Sequence, residues 1–260
     1  VKVSVIVKTF EQPDYLGRVL KAISGQVVLP DEVLVADDGS GEDTKAVFEK
    51  WAKEQSFRAV HVWHERNGSR RSQILNKSIV QAQGDYIIFL DGDTVPHPEF
   101  VSDHEKVARA GFFVQGHRAL VARPAVVFFG LGEFGRDRSR ALWSFQLSGN
   151  AFRWPFPVVT SRSDLKGIRG CNFAMWREDL LAVNGFNEAF VGWGREDSEV
   201  VVRLMNHSVK RRDVRGWALC FHLWHPPASR NQLTENDRLL AETIESKATR
   251  CELGVSQYLS

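Results

Sequence analysis

An α/β fold with a mostly parallel sheet is predicted by three features of this 260-residue sequence. Apolar runs of strand length alternate with stretches of helical period through the first ninety residues. Polar clusters follow directly on the ends of those runs. No internal repeat or low-complexity linker divides the chain, so residues 1–260 read as a single domain. Within it an amino half (1–110) and a carboxyl half (111–260) are distinguished.

The elements follow from local pattern. Val3-Ser4-Val5-Ile6-Val7 is a buried strand, and Tyr15 to Ser24 a helix with Leu16, Val19, Leu20 and Ile23 on one face. A second strand covers Glu32 to Ala36, followed by a helix from Asp43 to Gln55 with Val47, Phe48 and Trp51 inward. Ala59 to Trp63 is a third strand, Arg70 to Ala82 a third helix, and Asp85 to Leu90 a fourth strand. Such alternation favours parallel strands with helices on both faces. Ligands in these sheets bind beyond the carboxyl ends of the strands. Thr9-Phe10-Glu11, Asp37-Asp38-Gly39-Ser40 and Asp91-Gly92-Asp93 all lie at such ends.

Beyond Asp93 the alternation stops. Pro96-His97-Pro98 reads as a turn and Glu99 to Ala110 as a helix, while residues 112–168 read as irregular. Cys171 to Trp176 is a strand, Glu178 to Val183 a helix, Asn184-Gly185 a turn, and Glu196 to Asn206 a helix. Asn231 to Lys247 forms an amphipathic helix.

Composition excludes more than it selects. A net charge of +2 gives no reason to invoke nucleic acid, and the basic groups Arg66/Arg70/Arg71, Arg136/Arg138/Arg140 and Lys210/Arg211/Arg212 are each readable as a solvated face. Three cysteines without CxxC spacing argue against a disulfide framework and for a reducing compartment. No signal peptide or membrane-spanning run is visible, so a cytoplasmic location is the default expectation. The start at Val1 leaves room for a trimmed leader.

The chemistry concentrates in two acidic motifs. Asp91-Gly92-Asp93 puts two carboxylates one residue apart at a strand end, suited to Mg²⁺ or Mn²⁺ with positions open to phosphate, although the same spacing also serves turns. Gly192-Trp193-Gly194-Arg195-Glu196-Asp197 sets adjacent carboxylates beside an indole. Helix capping accounts for one of these acids but not for the preceding Gly-Trp-Gly. A carboxylate there is placed to deprotonate a sugar hydroxyl. His222-Leu223-Trp224-His225 adds two imidazoles, good ligands for Mn²⁺. Asp37 and Asp38 suit either a nucleotide contact or a turn.

Taken together, these motifs resemble inverting glycosyltransferases of the GT-A fold, family 2. Residues 3–10, Asp37-Asp38-Gly39-Ser40 and 84–93 are similar to that family's nucleotide-binding half. Residues 170–175, 184–188 and 192–197 resemble the β-1,4-galactosyltransferase and chondroitin-polymerase type of domain, and the likeness spans roughly three quarters of the chain. The resemblance implies that Thr9, Glu11 and Asp38 contact uridine and that Arg71 reaches the uridine or the diphosphate. It implies a nucleotide-sugar-binding half (1–110) and an acceptor and catalytic half (111–260). It implies Asp93 as principal metal ligand, Asp91 also at the metal site, nearer the ribose or a metal-bound water, Gly92 beside the donor, His222 as the later histidine ligand and His225 as a second candidate. Asp197 would be the base, Glu196 a sugar contact, and Trp193 part of the sugar-binding wall. Arg195 departs from the glycine often found at that place in the galactosyltransferases.

The implied reaction is transfer of a hexose or N-acetylhexosamine from a UDP-sugar, with Mn²⁺ or Mg²⁺, to a glycan or lipid-linked glycan in surface-polysaccharide or lipopolysaccharide synthesis. A metal-dependent nucleotidyltransferase and a non-catalytic carbohydrate-binding protein are the competing readings. The basic-aromatic segment from Arg136 to Trp154 suggests peripheral contact with the inner membrane face.

Overall fold

The computed structural model describes residues 1–128 and 152–259. Its first half follows the expected alternation: β1 (Val3–Thr9), α1 (Pro13–Ser24), β2 (Glu32–Asp37), α2 (Glu42–Ala52), β3 (Arg58–Trp63), α3 (Arg71–Gln81) and β4 (Tyr86–Asp91). Pro13 stands in the first turn of α1, where its missing N–H has no helical partner to lose. Successive strand residues point to opposite faces, and both faces are covered. Val3, Val5, Val7, Ile88 and Leu90 pack under α1 and α2, while Ile6, Ile87 and Phe89 pack with Ile74 and Ile79 of α3. A strand buried on both sides is therefore mostly apolar, as β4 is up to Asp91 and β1 is from Val5 to Val7.

Register brings the strand ends level. β1 runs parallel to both β2 and β4, with Thr9 opposite Asp37 and Lys8 opposite Asp91. The predicted convergence of polar tips thus lies on one edge of the sheet.

The second half contains more strand than its composition suggests. After β5 (Thr94–Pro96) and α4 (Phe100–Val107) come β6 (Phe112–Gln115), β7 (His117–Leu120) and β8 (Val158–Arg162), then β9 (Asn172–Trp176). α5 (Arg177–Ala182), α6 (Glu196–Asn206), β10 (Lys210–Arg215), β11 (Leu219–His222) and α7 (Leu233–Ser246) complete it. The eight-stranded sheet has the order β3-β2-β1-β4-β9-β6-β10-β8, and β5-β11-β7 form a second sheet.

Two expectations need correction here. Residues 112–168 are not irregular throughout; the turn expected at 96–98 does follow directly on β5, which pairs antiparallel with β11, and is closed by the Phe100 N–H donating to His97 O at 2.8 Å. These strands are three to five residues long, too short for a period to register, and their partners are distant in sequence. Lys210-Arg211-Arg212 is likewise not a solvated face but part of β10: Arg211 is fully buried, its Nε donating to Asp213 Oδ1 at 2.7 Å and its Nη1 to Asp164 O at 2.6 Å. Arg136, Arg138 and Arg140, with most of the segment proposed for membrane contact, lie outside the described residues. Trp154 to Pro157 forms no regular element, as expected.

The Asn184-Gly185 turn has left-handed backbone at both residues, with φ of 69° and 67°. It is clamped by α6. Arg203, fully buried, pairs with Glu199 one turn earlier at 2.7 Å and donates to the carbonyls of Val183 and Gly185. Glu199 also accepts from Thr243 of α7. Deleting one partner of such a pair leaves a buried charge, at a cost of about 3–5 kcal/mol. Glu199→Ala is therefore expected to lower the urea-unfolding free energy by about that amount, and a loss below about 1 kcal/mol would contradict this role for the pair.

Candidate active site

The floor of the site is the edge where β1 and β4 end. Gly92 sits so close to β1 that a Cβ would lie 2.9 Å from Thr9 Oγ1 and 3.1 Å from Lys8 O. A glycine is needed for the turn to fold back against the strand, which explains the residue between the two aspartates. Asp91 forms an ion pair with Lys8 at 3.1 Å. Burial alone would push the Lys8 ammonium down and the Asp91 carboxyl up; their mutual attraction, together with Glu196 acting on Lys8 and with Arg71 and His222 acting on Asp91, shifts both the other way.

Asp93 behaves differently. Burial, and then the negative charge of Asp91, raise its carboxyl above the ordinary range. Its oxygens face His225 Nε2 at 3.2 Å and His222 Nε2 at 3.7 Å. One ligand atom from each of Asp93, His222 and His225 falls within a set no more than 4.8 Å across. Burial lowers the His222 imidazole, favouring the neutral form that ligates metals. A carboxylate that is costly to ionise, beside the neutral His222 imidazole and a second histidine, fits a divalent cation of the Mn²⁺ kind. Asp91 lies outside this trio and is paired with Lys8.

The tip of β2 is a buried scaffold. Asp37 accepts from the Ser40 N–H at 2.8 Å and lies 2.9 Å from His61 Nε2, so it serves the turn. Asp38 lines the cleft, yet its carboxylate is already engaged by His64 Nε2 and Arg66 Nη1, both at 2.9 Å, and by the Arg70 N–H at 3.1 Å. These contacts hold the 64–70 loop in place. Glu11, with φ of 49°, accepts from the Gly41 N–H at 2.9 Å and is not among the lining residues. Thr9, Asp38, Arg71, Asp91, Gly92, Trp193 and the metal trio do line this lobe, whose volume including its open mouth is about 1230 Å³.

A second lobe of about 990 Å³ opens beside it and shares Lys8, Arg71, Asp91, Arg118, Trp193 and Arg230 as common wall. Left-handed backbone at Gly192 (φ 78°), Gly194 (102°) and Arg195 (77°) turns the chain sharply into α6 and sets Glu196 and Asp197 on the lobe. Position 195 thus favours glycine; Arg195 bears a strain of about 1–2 kcal/mol there and pairs with Asp237 of α7. Asp197 accepts from the N–H of Gly170 at 2.9 Å and of Ser198 at 2.7 Å. Burial, and then the charge of Glu196, push its carboxyl up to about 6. Glu196 lies 3.9 Å from Arg71 Nη1.

Among the lining residues, the basic Lys8, Arg118, Arg169 and Arg230 escape a reading of motifs alone, and Phe10 reads only as part of a strand-end cluster. Lys8 did carry a signal, as a charge within an apolar strand. Phe10 is 40% exposed beneath the Arg66 guanidinium, an aromatic left open just past β1. Arg118 and Arg230 lie in segments without a recognisable motif.

Residues 4–165 match the family described as Glycosyl transferase family 2, and residues 152–225 match the one described as N-terminal domain of galactosyltransferase. The chain belongs to glycosyltransferase family 2. It is 23% identical over 263 residues to the chondroitin synthase of Escherichia coli, aligning 93% of this chain with 37% of that protein. It is 33% identical over 195 residues to the GalNAc(5)-diNAcBac-PP-undecaprenol beta-1,3-glucosyltransferase of Campylobacter jejuni, covering 74% of this chain and 56% of the relative. It therefore spans only part of these relatives' length.

Among solved structures, TarS residues 1–349 from S. aureus in complex with UDP superposes with a TM-score of 0.66 at 18% identity, covering 99% of this chain and 68% of that one. The mannosyltransferase PcManGT from Pyrobaculum calidifontis with GDP-Man and Mn²⁺ gives 0.59 at 19%, covering 95% and 62%. These likenesses establish the GT-A fold. No helix among the described residues is long and apolar enough to cross a membrane.

The Asp197 carboxyl signal, followed by ¹³C NMR against an Asp197→Asn reference, is expected to titrate near pH 6. Glu196→Gln removes the neighbouring negative charge and should lower that midpoint; an unchanged midpoint would show that Glu196 does not act on Asp197.

Proposed function

We propose that this chain is the catalytic domain of an inverting, metal-dependent transferase. It moves a hexose or N-acetylhexosamine from a UDP-sugar to a glycan or lipid-linked glycan hydroxyl in bacterial surface-polysaccharide or lipopolysaccharide synthesis. One observation carries this reading: the Asp93/His222/His225 trio and the Glu196/Asp197 pair face two lobes with a common wall. The similarity to bacterial glycan synthases supports the acceptor class, and a structural neighbour bound to UDP supports the donor.

Asp93, His222 and His225 would hold a divalent cation, which would supply charge neutralisation to the leaving diphosphate. Thr9 and Asp38, on the wall of the metal lobe, contact the nucleoside, with Phe10 as a stacking face for the base and Glu11 approaching from the rim. Asp91, kept ionised by Lys8, lies nearer the ribose, and Gly92 keeps the path between strand and donor open. Arg71, between the lobes, faces the phosphates. Trp193 walls the donor sugar, and Glu196 accepts from a sugar hydroxyl. Asp197 accepts the proton of the acceptor hydroxyl. The acceptor's oxygen then forms a bond to the anomeric carbon as the opposite bond to the diphosphate breaks, so configuration inverts.

The deciding experiment incubates the chain with Mn²⁺ and a panel of UDP-hexoses and UDP-N-acetylhexosamines, measures UDP release, and reads the product's anomeric configuration by NMR. Retention of configuration overturns the single displacement. Pyrophosphate release from a nucleoside triphosphate indicates the nucleotidyltransferase, and binding without nucleotide release indicates the carbohydrate-binding protein.

Asp197→Asn is expected to lower kcat by about a hundredfold or more while UDP-sugar binding by calorimetry persists. Because the base must be ionised, kcat/KM should rise with pH through about 6 and flatten above it. An acid limb near the ordinary carboxylate range would remove Asp197 from the role. Asp93→Ala should abolish saturable Mn²⁺ binding measured by electron paramagnetic resonance, and intact binding would refute the metal assignment.

A further inference from the structure

The lobe that holds Asp197 carries more positive charge than its acids can balance. Its basic lining residues are Lys8, Arg71, Arg118, Arg169, Arg195 and Arg230, against Asp91, Glu196 and Asp197. Lys8 is paired with Asp91, Arg71 stands 3.9 Å from Glu196, and Arg195 is paired with Asp237 outside the lobe. Among the described residues, Arg118, Arg169 and Arg230 form no ion pair within 4.0 Å, although the charge of Asp91 acts on Arg118 from farther off.

Their placement is specific. The buried Gln115 fixes the backbone of Arg169, accepting from its N–H at 3.0 Å and donating to its carbonyl at 3.3 Å. The next residue, Gly170, donates the N–H that holds Asp197 at 2.9 Å. Arg169 is thus anchored immediately beside the proposed base. Arg118 donates to Cys171 Sγ at 3.4 Å, and the Arg230 guanidinium lies 5.1 Å over the Trp193 ring on the far wall. Arg169 lines the Asp197 lobe but not the lobe of the metal trio, so the donor diphosphate does not account for it.

We propose that this lobe selects an acceptor whose reacting end carries an anion, a sugar carboxylate or a phosphate ester, gripped by Arg169 and Arg118 with Arg230 closing over it. Planar guanidinium groups match both anions in bidentate geometry. A neutral acceptor would cover them without supplying a counter-charge, which is unfavourable. Holding the anion next to Gly170 turns the neighbouring sugar hydroxyl toward Asp197. The inference rests on the transferase reading for its function, but its binding test does not require turnover.

The test is titration calorimetry in the presence of UDP and Mn²⁺ with three oligosaccharides of one backbone. One ends in glucuronate, one in its carboxyl-reduced counterpart, and one in a terminal phosphate ester. At least one anionic form should bind about tenfold or more tighter than the reduced form, the usual worth of a charge-assisted hydrogen bond, with the gap narrowing as sodium chloride is raised. The tighter of the two identifies the natural anion. Arg169→Gln should erase most of the preference, and Arg169→Lys should restore part of it; thermal melts confirm that each variant is folded. Equal binding of all three, no binding of any, or an Arg169→Gln loss equal for anionic and reduced forms overturns the proposal. Anion-selective binding without UDP release from any donor would overturn the transferase reading alone, while efficient transfer to the reduced form with no preference would overturn the acceptor proposal alone.

Discussion

The arrangement of the site depends on one strand. β9 lies antiparallel between β4 and β6, with Leu90 opposite Asn172 and Val114 opposite Ala174. This pairing joins the parallel nucleotide-type half to the later strands in a continuous sheet. At the start of β9, the Asn172 side chain donates to the carbonyls of His117 and Ala218 at 2.8 and 2.7 Å and accepts at 3.0 Å from His104, whose imidazole burial holds neutral. It thereby fixes the entries of both β7 and β11, the strands that bring Arg118 and His222 to the cleft. The residue two before it, Gly170, supplies the N–H that holds Asp197.

Electrostatics divides the two aspartates of the Asp-Gly-Asp turn. Asp91 has a buried ammonium beside it and is stabilised as a carboxylate; Asp93 has only imidazoles and a like-charged neighbour and resists ionisation. At the start of α6, burial and the adjacent Glu196 charge raise the Asp197 carboxyl, while Glu196 itself faces Arg71. Partners contributed by other elements thus set the properties of neighbouring acids. Arg203 and Glu199 stand behind the second pair, tying α6 to the 183–185 turn and to α7 so that its first residues hold their position.

Much of the first half was legible because each element there declares itself locally. Strands six or seven residues long with apolar centres, and helices with one apolar face, leave a strong periodic signal, and the polar tips follow directly. The second half was less so. β6, β7, β8, β10 and β11 are four to six residues long and find their partners far along the chain. β10 also hides a buried arginine within a basic run, and composition could not separate Arg211, satisfied by Asp213 and two carbonyls, from a solvated face.

By itself the sequence determined the α/β class, the acidic turn after β4, the acidic start of α6 and the family they indicate, since these rest on local periodicity and adjacent residues. Only the tertiary structure decided which of those acids share a site and in what state. Lys8 claims Asp91, His222 and His225 close on Asp93, and Gly170 orients Asp197. Charge state and ligand sets depend on distance and burial between residues that lie tens to more than a hundred positions apart, and no local pattern encodes those.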